Sequence, residues 1–279
     1  MGNGLLFAAP EPSYHPLEYQ GEFLWVPRDV QQTSKSKPGL GIPCLLLQCP
    51  GAARLLIYFH ANAEDLGHIY LHLRYLRALL KVHVLALDYP GYGVCSGIPS
   101  EEKVLADAET VLCFVRDQLE VPVDRIMFMG RSLGGGPAIY LASRHACAGL
   151  VTVSAFASIR AVVGSFPQLI GWVVDVMDNS KRIRSVQSPT LIIHGREDRL
   201  VDVGQASALA ADCGADVEDR PQVLLIICNR RGHDNLDVKR DIIQGVQKAF
   251  PSLQEGEAID LAAADRFFRP QPVYLAPDV

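Results

Sequence analysis

A mostly parallel α/β sheet with helices on both faces is the fold class that this 279-residue sequence predicts. Three observations carry that expectation. Short apolar runs closed by turn residues alternate with amphipathic segments of helical period over most of the chain. Apolar residues make up 49% and charged residues 20%, which suits one large buried core in a single domain. A serine flanked by glycines, at 130–134, stands where one apolar run gives way to a helical segment.

Residues 21–27 and 42–48 precede the alternation and read as an antiparallel hairpin leading into the sheet. The run 54–60 (RLLIYFH) is a buried strand, and 65–80 follows with leucines and Ile69 on one helical face. The run 82–88 is the next strand, closed by Tyr89-Pro90-Gly91. Pro99 and Ser100 open a helix that puts Glu101 and Glu102 in its first turn, where negative charge suits the helix dipole, and it runs to about Leu119. Strands at 125–130, 149–154, 190–194 and 222–228 continue the pattern, with helices at 133–145, 203–212 and 236–249.

Two segments break the alternation. Residues 155–187 are too long for a plain crossover and read as a small helical cap. Phe156, Phe166, Trp172 and Met177 are its candidates for an apolar substrate wall. The domain is expected to span 1–250 with this insertion, and 251–279, acidic and then rich in proline, to form a loosely ordered tail.

Composition excludes some functions. The net charge of −5 and the lack of a basic stripe argue against a nucleic-acid partner. The seven cysteines are scattered, form no CxxC pair and read as buried, reduced thiols of a cytoplasmic protein. No stretch approaches the roughly 18 uncharged apolar residues that a membrane span needs, and no secretory signal is visible. Gly2 after Met1 is a candidate for N-myristoylation, although Leu6 stands where that motif wants a hydroxyl. Such a lipid would give peripheral membrane contact.

Gly130-Arg131-Ser132-Leu133-Gly134 matches G-x-S-x-G, ends a strand and opens a helix, as a nucleophile elbow requires. The competing account of Ser132 is a helix-capping serine. A hydroxyl needs a base beside it, and after an elbow the expected chain order is serine, acid, histidine. Asp198 in HGRED and His233 in GHDN both follow strands and supply that order. Asp202 competes for the acid role but is better placed to cap the next helix, and Asp234 should point elsewhere. Two backbone N–H groups are needed for an oxyanion, and Leu133 and Asn62 are the candidates. His60 reads as structural. His68 and His72 share a helix face but have no third ligand or HExxH glutamate, so a solvated face is expected and no metal.

YFHANAEDLG, LDYPGYGVCSG followed by IPSEE, GRSLGG, HGREDRLVD and GHDN occur in this order. Over roughly residues 40–250 the chain resembles the cytosolic α/β-hydrolase-domain family that removes palmitate from protein cysteines, and its bud-emergence-related relatives. That resemblance implies an α/β-hydrolase fold, puts the triad on Ser132, Asp198 and His233, and implies an S-acylated protein or acyl-lipid substrate. Two departures stand out. Ala61 replaces a usual glycine, and residues 1–20 lack the cysteines by which mammalian members are anchored. The expected chemistry is hydrolysis of acyl thioesters or esters through an acyl-enzyme, with no metal or organic cofactor. A serine peptidase and a catalytically silent binding module remain the alternatives, and oligomeric state is not legible.

Overall fold

The computed structural model describes residues 7–28, 41–159, 177–215 and 222–268. Among them, eight strands form one sheet: β1 (Phe23–Val26), β2 (Ile42–Leu47), β3 (Leu55–Phe59), β4 (His83–Leu87), β5 (Ile126–Arg131), β6 (Gly149–Val153), β7 (Thr190–Gly195) and β8 (Val223–Cys228). Their order across the sheet is β1-β2-β4-β3-β5-β6-β7-β8. β1 and β2 pair antiparallel, β2 runs antiparallel to β4, and every pairing from β4 through β8 is parallel. The expected hairpin and alternation are therefore present.

The helices divide between the two faces. α1 (Leu66–Leu80) covers one face, together with a π-helical turn (Val238–Ile243) that runs into α6 (Gln244–Ala249). α2 (Glu101–Asp117), α3 (Gly135–Arg144), α4 (Asn179–Ile183) and α5 (Val203–Cys213) cover the other. Local chemistry sets their starts. Asp65 caps α1 through His68 N–H, Ser100 caps α2 through Lys103 N–H, and Asp202 caps α5 through Gly204 N–H. Buried leucines recur along α1 at 66, 73, 76 and 80, with Ile69 among them, so a single stripe faces the sheet.

The N-terminal segment is strapped across the outside of the β3 and β4 ends. Phe7 is buried, Ala8 N–H donates to Asn62 Oδ1 (2.9 Å), and Ser13 donates through both its N–H and its hydroxyl to the Asp65 carboxylate. The Tyr14 hydroxyl donates to Asp88 Oδ2 at 2.7 Å. Gly67 is a glycine for this reason: a Cβ there would lie 2.4 Å from Ser13 Oγ and 2.8 Å from Tyr14 Cβ.

Two expectations change. Of the loosely ordered tail expected over 251–279, residues 269–279 lie outside the described residues, and 251–268 are packed: Leu253, Leu261 and Ala264 are buried, and Ile259 N–H donates to Ala52 O. Arg54 and Arg125 donate to the carbonyls of Glu255 and Glu257, and the Phe267 ring meets Phe114 edge-on at 4.8 Å. Sparse apolar anchors and arginines that cap backbone carbonyls hold a segment whose composition looks unstructured. Most of the expected cap, residues 160–176, lies outside the described residues, and Phe166 and Trp172 with it. The two ends that are described, 155–159 and 177–187, pack into the core rather than rise above it: Phe156, Ile159, Met177, Ile183 and Val186 are all buried.

Candidate active site

The site is assembled where the parallel strands end. β5 delivers Ser132 on a turn so tight that its φ is +50°, a conformation that costs a non-glycine residue energy and turns the side chain out of the strand-to-helix corner. The flanking glycines are obligatory. A Cβ at Gly130 would lie 2.0 Å from Gly134 O, and one at Gly134 would lie 2.1 Å from Phe59 O. The second clash shows that the elbow packs directly on the end of β3, so the loop 60–63 emerges beside Ser132. The helix-capping account of Ser132 has no support, since its hydroxyl meets an imidazole.

β7 and β8 supply the other two groups. His233 Nε2 stands 3.0 Å from Ser132 Oγ, and its Nδ1 stands 2.8 Å from Asp198 Oδ2. The arrangement requires the tautomer in which Nδ1–H donates to the carboxylate, leaving Nε2 to accept from the serine hydroxyl. Asp198 Oδ1 accepts the N–H groups of Leu200 (2.9 Å) and Val201 (2.8 Å). His194 Nε2, which donates to Val201 O at 2.9 Å, also faces Asp198 Oδ2 at 3.3 Å. Burial by itself would raise the Asp198 carboxyl, but hydrogen bonds from His194, His233 and Val201 N–H outweigh it and hold the group well below the ordinary carboxylate range. Asp198 is thus an anion at neutral pH, with its two oxygens assigned to different donors. The three residues expected to act together are brought together by the fold.

The remaining candidates sort as follows. Leu133 follows Ser132 and is buried, and its N–H is the one nearest along the chain to the nucleophile. Asn62 lies in the loop after β3, its side-chain Oδ1 turned to Ala8 N–H, Ala63 N–H (3.1 Å) and the Tyr92 hydroxyl (2.6 Å). Ala61 needs no glycine: among residues 60–63, positive φ falls on Ala63, at +58°. Asp202 is exposed and caps α5, and Asp234 points away from the imidazole to Arg131. Phe156 and Met177 do not form an open apolar wall. Met177 is fully buried with its sulfur against Gly136 of α3, and Phe156 is enclosed in the same core, because both flank the short helix α4 that packs between α3 and α5.

His68 Nδ1–H donates to the Asp65 carboxylate (2.7 Å) from a half-exposed ring, while His72 turns its Nε2 inward without a hydrogen-bond partner, so of the pair only His68 lies on the solvated face expected of both. Among the described residues no group of three His, Cys, Asp or Glu side chains could hold a metal ion. No described helix is long and apolar enough to cross a membrane. No cysteine among the described residues is paired in a disulfide, and Cys44, Cys95, Cys147, Cys213 and Cys228 are buried.

Beneath the loop 60–63 lies a second buried polar cluster. The His60 ring stacks on Tyr89 at 4.1 Å, and burial pushes its pKa down to about 4 despite a hydrogen bond to Ala61 O. Asp88 accepts from Tyr14 and from Leu66 N–H, yet burial dominates and raises its carboxyl to about 7. His60 Nε2 is 3.7 Å from Asp88 Oδ1.

Strand order, the single antiparallel entry through β2 and a strained serine at the β5 turn define the α/β-hydrolase fold. The Pyrococcus furiosus esterase Pf2001 superposes with a TM-score of 0.64 at 15% identity, over 89% of this chain and 99% of that one. No protein-family model matches the chain. It is 30% identical over 229 residues to α/β-hydrolase domain-containing protein aho-3 of Caenorhabditis elegans, covering 77% of this chain and 68% of that one. It is 33% identical over 186 residues to α/β-hydrolase domain-containing protein 17C of Xenopus laevis, covering 66% of this chain and 59% of that one. The chain belongs to the family of α/β-hydrolase domain-containing proteins, and it is a hydrolase.

Proposed function

We propose that the protein hydrolyses acyl esters and thioesters through a Ser132–His233–Asp198 triad, and that its substrates are long-chain acyl groups carried by proteins or lipids. The observation that carries this reading is the continuous chain from Ser132 Oγ to His233 to Asp198, at 3.0 and 2.8 Å, on a backbone strained at the serine. His233 takes the serine proton as the oxygen attacks the acyl carbonyl, and Asp198 stabilises the imidazolium that forms. The N–H groups of Leu133 and Asn62 stabilise the oxyanion, each such donor being worth roughly 3 kcal/mol of barrier. The tetrahedral intermediate expels the thiol or alcohol, which takes the proton from His233. Water then attacks the acyl-enzyme with His233 as base again. A thiolate leaves without the protonation that an amine requires, which favours thioesters over amides.

Support for an ester class comes from the esterases that share the fold, and support for a lipid-like acyl group from the sequence resemblance and from Phe166 and Trp172 in the segment 160–176. Peripheral membrane contact fits such a substrate. The test is a hydrolysis panel of acyl thioesters, esters and amides across chain lengths, run beside fluorophosphonate labelling of wild type and Ser132→Ala. Labelling should vanish in the variant. Activity should rise with acyl length, since each buried methylene is worth about 0.8 kcal/mol, and Trp172→Ala or Phe166→Ala should flatten that rise more than it slows acetyl ester hydrolysis. Persistent labelling of Ser132→Ala would remove the nucleophile assignment, and indifference to chain length would remove the lipid reading.

A further inference from the structure

Arg131 occupies the second position of the elbow motif, where the motif itself demands nothing. Its guanidinium nevertheless makes three hydrogen bonds beside the site. Nη1 donates to Glu64 Oε1 at 2.5 Å, while Nη2 donates to Asp234 Oδ1 at 2.7 Å and to the carbonyl oxygen of His233 at 3.2 Å. Glu64 is not simply a counter-ion. Its other oxygen, Oε2, accepts the N–H of Ala61 at 2.9 Å, the residue immediately before Asn62. One side chain rooted beside Ser132 therefore reaches, in one direction, the loop proposed to bind the oxyanion and, in the other, the backbone of the proposed base.

What lies under the base loop makes this bridge consequential. A cavity of about 190 Å³ separates that loop from α1 and the π-helical turn. Tyr58, His72, Val153 and Ile242 are among its walls, as are Arg131 and His233. The unpartnered Nε2 of His72 belongs to the same wall. On this side His233 is not seated on close-packed side chains, whose density would fix its position to tenths of an ångström. The guanidinium instead links Glu64, Asp234 and the His233 carbonyl along the wall of that space. A planar fork can send donors along separate directions to three acceptors at once, which a lysine ammonium on a flexible stem does less well. The Asp234 end is largely exposed and contributes little alone. The Glu64 arm and the His233 carbonyl give the bridge its directional content.

We infer that Arg131 is a positioning residue, whose guanidinium ties the base loop to the loop 60–64 so that the imidazole and the oxyanion donors keep register around Ser132. This rests on the triad reading above. The hydrogen bonds of Arg131 go to Glu64, Asp234 and the His233 carbonyl and not to Ser132 Oγ or the imidazole, so it acts through Glu64 and the His233 backbone.

The test uses full-length Arg131→Gln, Arg131→Lys and Glu64→Gln with a short acetyl ester, and kcat is expressed per site titrated with fluorophosphonate. An ångström of misplacement can cost on the order of 10²-fold, so Arg131→Gln should lose about that much in kcat while KM stays within about twofold. Arg131→Lys should fall between Gln and wild type. Glu64→Gln keeps an acceptor for Ala61 N–H but weakens the arm; its loss should not multiply with that of Arg131→Gln in the double variant, because both break one linkage. An acyl-mimicking boronic acid, which forms a tetrahedral adduct on the serine, should bind the variants more weakly in step with kcat. Two results overturn the inference: unchanged kcat per titrated site with fewer sites, which marks a fold-stability role only, and multiplicative losses in the double variant. If Arg131→Gln does not fold, the Lys and Glu64→Gln variants carry the same comparison. Failure of wild type to label at Ser132 overturns the triad reading itself, an outcome separate from either.

Discussion

Replacing Asp198 with asparagine isolates the acid's role with almost no change in shape. The amide would have no choice of orientation. Leu200 and Val201 both point N–H groups at the Oδ1 position, at 2.9 and 2.8 Å, so the amide oxygen must stay there. That forces the NH₂ group onto the Oδ2 position, 2.8 Å from His233 Nδ1. A donor now faces a nitrogen that must itself donate for Nε2 to accept the serine proton, and the imidazole is driven to the wrong tautomer. Loss of the anion also removes the stabilisation of the imidazolium. By the triad template the penalty is on the order of 10⁴ in kcat, equivalent to about 5.5 kcal/mol of barrier. The fold should survive, because both backbone N–H groups keep their acceptor. The assay is steady-state hydrolysis of a chromogenic acetyl ester with the folded fraction followed by circular dichroism, and Asp202→Asn serves as the control, since asparagine caps α5 as aspartate does. A folded Asp198→Asn enzyme that keeps a tenth or more of wild-type kcat, on the scale of that template, would refute the reasoning, as would a larger loss in Asp202→Asn.

Other outcomes follow from neighbouring features. Gly134→Ala should give little soluble protein, because its Cβ would sit 2.1 Å from Phe59 O with backbone on both sides and nothing free to move; soluble, fully labelled protein would show that the elbow relaxes. Asp88 has a folded-state pKa of about 7 against an unfolded one near 4, so the folded chain holds a proton that the unfolded chain has lost, and stability must fall as pH rises across that window. The penalty is on the order of 4 kcal/mol once pH exceeds about 7, and Asp88→Asn should therefore gain melting temperature on wild type between pH 5 and pH 8; a constant offset would mean that Asp88 does not titrate there. Asp198 has the opposite sign. Its depressed pKa contributes stability above the ordinary carboxylate range, and that contribution should fade as pH drops below about 4, with Asp198→Asn melting insensitive to the same step.

The strands and most helices were legible because burial imposes a period and little else does. Runs such as 54–60 and 82–88 could hardly be anything but buried strands, and Asp65, Ser100 and Asp202 mark helix starts by chemistry that is local. The elbow and the three residues that meet beside it were legible because a tight turn leaves a short motif and because strand ends are ordered along the chain. What escaped was set by partners far away in sequence. Arg131 reaches 67 residues back to Glu64 and about a hundred forward to His233 and Asp234, and no local pattern announces that. His194 lies at the end of β7, and its approach to Asp198 depends on how the 195–201 loop curls. Residues 251–268 look unstructured because their anchors are few and their main partners are arginines elsewhere in the fold. Apolar content alone makes Phe156 and Met177 look like wall-formers, but it does not distinguish a surface that awaits a ligand from one already covered.

The strap formed by residues 7–14 changes where the working enzyme begins. By strand pairing alone a minimal version of this domain would start near Phe23, yet the N–H of Ala8 holds Asn62 and the side chains of Ser13 and Tyr14 close off Asp65 and Asp88. Those three acceptors sit in or directly behind the loop that follows β3. Trimming the chain to its sheet would uncover two buried carboxylates and loosen that loop in one cut, although no strand or α-helix would be touched. A tether fused ahead of Phe7 would pull on the segment that holds Asn62, so the N-terminal strap and the loop proposed to bind the oxyanion are mechanically in series.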